Sequence, residues 1–165
     1  MECPMRNRVR SWVVNKLAIL AAFMGFVACS PDEICFTDHD TQVKINFKKE
    51  IYSGTDSAFF ENDTLIFIRI TALDTDSIFV ESDTLSRVVL PVNTGVNITT
   101  FIFDSDQGSD TLELRYQRQQ RLISVDCGPE QVIDNLEAGA FTFDSLKIMN
   151  PILLVQENTN VEVYR

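Results

Sequence analysis

Three sets of residues in this sequence have the types and spacing to do chemistry. The first is Asp104-Ser-Asp106-Gln-Gly108-Ser-Asp110, with oxygen ligands at alternate positions and a glycine where a calcium loop would bend. Calcium takes about six to eight oxygens. This stretch lacks both the acid before the glycine and the distal glutamate of a full loop, and a hairpin turn asks for the same residue types. It reads as a turn and not as a metal site; Asp104, Asp106 and Asp110 are the ligands that the calcium alternative would use. The second set is the four cysteines, Cys3, Cys29, Cys35 and Cys127. The third is Asp, then Ser or Thr, then an apolar residue, which recurs with its hydroxyl at Ser57, Thr64, Ser77, Thr84, Thr111 and Ser145.

Catalysis has little to draw on beyond these. His39 is the single histidine, has no partner in its vicinity, and is expected as a solvent-facing loop residue rather than a general base. Carboxylates abound, but a glycosidase needs two of them facing each other across a cleft. Their abundance is what a solvated surface requires. The expectation is a protein that is not an enzyme, with no cofactor.

The elements around these residues give them their context. Arg6, Arg8, Arg10 and Lys16 precede an apolar run from Leu17 to Ala28, which is too short to cross a bilayer and has the layout of a signal peptide. It ends on Val27-Ala28-Cys29, the ending of a bacterial lipoprotein signal, where the cysteine is acylated and becomes the new amino terminus. Phe26 stands where a strict lipobox has Leu; the looser boxes of Bacteroidetes accept it. A cleaved soluble precursor, or an uncleaved helix over Val9 to Ala28, is the alternative, but Arg10, Asn15 and Lys16 interrupt such a helix. The organisation expected is therefore a signal peptide over 1–28, an acylated anchor and short linker over 29–41, and one domain over 42–165.

Loss of the signal removes four basic residues and Glu2, and takes the net charge from −10 to −13. So acidic a domain excludes nucleic acid as a partner, because that affinity rests on Lys and Arg displacing counterions. An anionic lipid surface would repel it as well, so attachment falls to the acyl chains. With Cys3 removed and Cys29 acylated, Cys35 and Cys127 remain in an exported chain, and they read as a structural disulfide. A redox or metal pair would call for a C-x-x-C or more than one histidine. Cys29 lies six residues before Cys35, a reach of at most about 20 Å, which keeps the domain near its membrane.

From Gln42 the chain alternates as strands do. Strands are expected over Gln42–Lys48, Leu65–Leu73, Ile78–Val80, Leu85–Leu90, Asn97–Asp104, Thr111–Gln117, Leu122–Asp126, Ser145–Met149 and Val161–Tyr164. Tyr52–Asp63 reads as a polar loop, and Glu130–Ala138 as the one segment able to form a short helix. Leu65–Leu73 is apolar on both faces, with Ile66, Ile68 and Ile70 on one and Leu65 and Phe67 on the other, which marks a central strand. The phenylalanines fall at alternation positions and read as core. The class expected is all-β: an antiparallel, immunoglobulin-like β-sandwich of seven or eight strands.

The start CSPDEIC, the TLIFIRI strand, the LPVNT segment, the TTFIFDSD and DTLELRY hairpin and SVDCG at the second cysteine together resemble a family of small Bacteroidetes lipoproteins, domain-of-unknown-function family 6452. The resemblance runs over nearly all of Cys29 to Arg165, with Ser30-Pro31 departing from the charged pair expected there. It implies a β-rich envelope domain with no known activity, and an outer-membrane barrel protein as neighbour and partner. Asp32-Glu33 resembles the acidic signal that carries such lipoproteins to the outer face of the outer membrane; a solvated acidic linker has the same composition. The Asp-Ser/Thr-apolar pattern is similar to the O-glycosylation sequon of exported Bacteroidetes proteins, and turns before strands favour the same residues. Two functions follow as expectations. One is an accessory or structural lipoprotein of the outer membrane that docks on another envelope protein. The other is a glycan- or peptide-binding module that uses the loops at one end of the sandwich.

Overall fold

The structure is a computed structural model that describes residues 35–53, 57–73, 75–156 and 159–165. Cys29, Asp32, Glu33 and the signal segment lie outside the described residues. Ten strands form two sheets: β1 (Gln42–Ser53), β2 (Ser57–Asn62), β3 (Leu65–Ala72), β4 (Ile78–Leu85), β5 (Arg87–Pro91), β6 (Ile98–Ser105), β7 (Gly108–Ser124), β8 (Gly128–Phe141), β9 (Ser145–Ile148) and β10 (Val161–Tyr164). One sheet runs β2-β1-β10-β9, with β5 sharing the β2 edge of β1; the other runs β4-β3-β6-β7-β8. All pairings are antiparallel except β1 with β10. This is the β-sandwich read from the sequence, with ten strands in place of seven or eight.

Alternation explains the core. Val43, Ile45 and Phe47 of β1 turn inward from one sheet, and Phe67, Phe101, Phe103, Leu112 and Leu114 turn inward from the other. The sheets meet on aromatic rings. Phe47 lies 5.1 Å from Phe67 and 5.9 Å from Phe103, and Phe143 closes the group at 5.5 Å from Phe103, tilted or edge-on as ring quadrupoles favour.

Four expectations are corrected, each for a physical reason. Tyr52–Asp63 is not a polar loop: β1 continues to Ser53, and Ser57–Asn62 pairs back on it as β2. Leu122–Asp126 is not a separate strand, because β7 runs unbroken to Ser124. Glu130–Ala138 is not helical but lies within β8. There, register shifts against β7 and a positive φ of 51° at Asn135 put an extra residue into the strand, so Ile133 and Leu136 both reach the core three positions apart. A bulged strand thus imitates helical spacing. In β3, which is central as expected, a register shift between Phe67 and Arg69 turns Ile70 to the core side with Leu65 and Phe67. Ile66 and Ile68 are left on the outer face, about half exposed.

One part of the fold reaches beyond its sheet. β6 pairs with β7 only as far as Ile98 opposite Arg115, so from Gln117 onward β7 has β8 as its single strand partner. Two-stranded ribbons are marginal in water. This one is held at its base by 151–153, where Leu153 N donates to Ile133 O and Leu136 N to Pro151 O, and further out by the chain that precedes β1: Cys35 is bonded to Cys127 at the ribbon's tip, with Cα atoms 5.6 Å apart. The next residues then pair alongside 153–155, with His39 opposite Leu154, Asp40 N donating to Leu153 O at 2.9 Å and Val155 N donating to Asp38 O at 2.9 Å.

The disulfide closes a separation of 92 residues, worth about 4.6 kcal/mol at most in the chain-entropy account. Replacing both cysteines by serine is expected to lower unfolding free energy by up to that amount, read as a fall in the urea midpoint. A midpoint equal to that of the oxidised parent would contradict this role.

Candidate functional site

The sequence-predicted residues do not converge on one site. Asp104 stands opposite Ser109 and Asp110 opposite Phe103. Directly paired residues share a face, so Asp110 lies on the side of buried Phe103 while Asp104 points outward. Arg69 Nε donates to the Asp104 carboxylate at 2.6 Å, and hydrogen bonding from Ser109 first, then from Arg69, holds that carboxyl below its usual range. The Asp110 carboxylate accepts from Thr142 Oγ1 at 2.9 Å and from Arg165. Asp106 is exposed in the two-residue turn. The three candidate calcium ligands are thus divided between two faces and a turn, and two are engaged by arginine. Among the described residues, no three His, Cys, Asp or Glu side chains form a metal-binding group.

The six hydroxyls are likewise scattered. Thr64 and Ser77 are exposed in loops, Ser145 opens β9 and is exposed, and Ser57 opens β2. Thr84 is exposed but within β4, and Thr111 is half-buried within β7, because those strands extend past the turn residues that precede them. Part of the pattern has a local cause: Asp63 Oδ1 accepts from Thr64 N at 3.0 Å, and Asp83 Oδ1 from Thr84 N at 2.7 Å.

A second group, invisible as a motif, surrounds His39. Its side chain is 13 % exposed, which corrects the solvent-facing expectation, and Nδ1 lies 3.4 Å from Glu130 Oε1 without hydrogen-bond geometry. Pairing with Leu154 carries His39 in beside the ribbon. Glu130 is buried, and its carboxylate accepts from Arg121 Nε at 2.7 Å and from the Thr37 hydroxyl. The Thr37 bond is the main cause, ahead of Arg121 and His39, that holds this carboxyl below its ordinary value. These groups join the segment before β1 to both strands of the ribbon; they show no substrate-facing geometry.

A shaped recess lies at the sandwich end bounded by the start of β4, the end of β5 and the β5–β6 loop. It is a cavity of about 360 Å³, within the range of small-ligand sites. Phe79, Val92 and Ile98 give it apolar walls, Ser77, Asn93 and Thr99 give it polar groups, and among the described residues no charged side chain lines it. Its loop wall is pinned from behind. Tyr116 OH donates to Asn93 O at 2.7 Å, Thr99 Oγ1 lies 2.6 Å from the phenol and accepts from Asn93 N at 2.8 Å, and Arg118 reaches Thr94 O and Asn97 Oδ1 at 2.5 and 2.6 Å. Burial pushes the Tyr116 phenol above its ordinary value. A wall fixed before a ligand arrives loses little entropy on binding. In the sequence, the turn residues Asn93-Thr94-Gly95 are the available signal that something must satisfy that loop.

Glu130 yields a pH prediction with a definite sign. A carboxyl with a lowered folded value contributes stability that is present above its unfolded value of about 4.5 and lost as pH falls through the lowered one. Glu130→Gln is therefore expected to have a lower urea midpoint than the parent at pH 7, with the gap closing below pH 4.5. A gap that stays constant down to acid pH would contradict the assignment.

No curated protein and no solved structure matches the chain. Residues 67–165 match the family described as "Family of unknown function (DUF6452)". The match begins inside β3, so β1, β2 and Cys35 precede it, while the cavity's lining, the ribbon and Cys127 fall within it. The chain belongs to this family of unknown function, DUF6452.

Proposed function

We propose that this protein is a non-enzymatic, lipid-anchored accessory domain of the bacterial cell envelope, held at the outer membrane through Cys29 and docking on another envelope protein. An outer-membrane barrel is the partner that fits the Bacteroidetes lipoprotein resemblance. The observation that carries this reading is the incorporation of Cys35–Asp40 into the sandwich: covalently at Cys127, by strand pairing at 153–155, and through Glu130. The sandwich therefore includes Cys35, six residues after the acylation cysteine in sequence, and a six-residue reach is at most about 20 Å. A domain so tethered works at the bilayer surface. The acidic charge of the mature chain keeps it off nucleic acid and leaves the lipid as its anchor.

A second reading, a glycan- or peptide-binding module, is favoured by the pinned cavity of about 360 Å³. Its uncharged lining suits an apolar or hydroxylated group better than an ionic one.

Purification from detergent-solubilised envelopes of the native host tests both readings. A protein whose intact mass carries acyl groups, together with a stoichiometric β-barrel partner, is the expected result. Any mass beyond the acyl groups in hexose increments would place O-glycans on the Asp-Ser/Thr hydroxyls. An unacylated chain would overturn the anchor, and an acylated monomer retaining a small ligand would favour the binding module over docking.

A further inference from the structure

The ribbon tip gathers apolar side chains that the fold leaves in water. Val125 is 90 % exposed, Leu122 63 % and Phe36 78 %. The disulfide brings them together, since Phe36 adjoins Cys35 and Val125 stands two residues before Cys127. Lone exposed apolar residues are ordinary, but three around one tip, on a ribbon that extends past its sheet, form a patch with a shape. The charge there is unlike that of the rest of the chain. From Leu122 to Pro129 the only ionisable side chain is Asp126 apart from the bonded Cys127, and Arg121 is matched by Glu130.

Chain length selects the occupant. Cys29 lies six residues before Cys35, so lipid on Cys29 would fix the bilayer within about 20 Å of the disulfide. We propose that the ribbon tip is a membrane seat: Phe36, Leu122 and Val125 enter the interfacial region of the lipid leaflet that holds the Cys29 acyl chains. Apolar side chains on a short rigid tip bind lipid by burying their area at the headgroup boundary, as interfacial helices do with an apolar face. The ribbon residues of the tip carry little charge and meet less repulsion than the rest of the acidic domain, with Asp32-Glu33 of the tether the acids nearest the lipid in sequence. The seat and the anchor act together, because a tethered second contact forms at high effective concentration. It would fix the orientation of the domain, and with it the direction that the end cavity faces. The inference rests on the lipid-anchor reading.

The test uses the mature acylated protein reconstituted into phosphatidylcholine vesicles. The chain has a single tryptophan, Trp12 in the signal segment, so Val125→Trp provides the only indole of the mature form. Ile66→Trp, at an exposed position beside the Asp106 turn at the other end of β6, is the reference. With lipids brominated near the headgroup, Val125→Trp is expected to shift to the blue and to be quenched at least twofold more than Ile66→Trp. As a check without the added indole, Leu122→Ser with Val125→Ser is expected to transfer between vesicles several-fold faster than the parent at unchanged Tm. Equal quenching at the two positions in protein that sediments with vesicles, or an unchanged transfer rate, would overturn the seat while leaving the anchor intact. Failure of the acylated protein to sediment with vesicles would overturn the anchor, and the seat with it.

Discussion

A β-ribbon without a third strand cannot hold itself flat, and much of this molecule is arranged around that constraint. Beyond Arg115 β7 has left β6, and what keeps the ribbon in place is the short segment leading into β1 together with the 151–153 stretch, which bonds to β8 at Ile133 and Leu136. The disulfide fixes the tip, Glu130 collects Thr37 and Arg121, and the 38–40 stretch pairs with 153–155. That pairing in turn supports a buried polar network. Lys44, on the outer side of β1, is covered by the 153–155 stretch and donates to the carbonyls of Leu154 and Val155 at 2.6 and 3.0 Å, with Asp40 3.5 Å away. Fully buried Asn160 accepts from Lys44 N and donates to Ile152 O. Buried polar groups of this kind are stable only when all are partnered, so the arrangement tolerates few alternatives.

The consequence for function is positional. The residues that lock the ribbon, Cys35–Asp40, begin six residues after the cysteine proposed to carry lipid, so under that proposal the tether enters the fold at the ribbon. The β5–β6 loop is pinned by Tyr116 and by Arg118, the latter near the base of the β7–β8 ribbon. The pinned loop, and the cavity behind it, are therefore referenced to the same ribbon. A membrane contact at the tip and a ligand contact at the cavity would be fixed relative to each other by one continuous piece of sheet.

Much of the fold was legible in the sequence because its core strands follow strict alternation: β1, β6 and the first half of β7 place every second residue inward. Legibility failed where the period is broken. The bulge at Asn135 spaces Ile133 and Leu136 like a helix, and the shift after Phe67 moves Ile70 to the core side. A local pattern cannot reveal either, since both arise from pairing with a neighbour. The disulfide was legible from cysteine arithmetic. The Glu130 group was not, because Thr37, His39, Arg121 and Glu130 come together only through a pairing 93 residues apart in sequence. The cavity was not legible, because its residues are turn and strand types that carry no chemical signature of their own.

The claim on which this account rests is that Cys35–Asp40 is an integral part of the sandwich rather than a leader to it. Amide hydrogen exchange in the oxidised protein tests it most directly, at the Asp40 and Val155 amides that bond across to Leu153 and Asp38. The account predicts protection at both within about tenfold of the central β6 amides, as for groups that open only with the core. Exchange of both at the rate of an unstructured loop, with the disulfide intact, would contradict it.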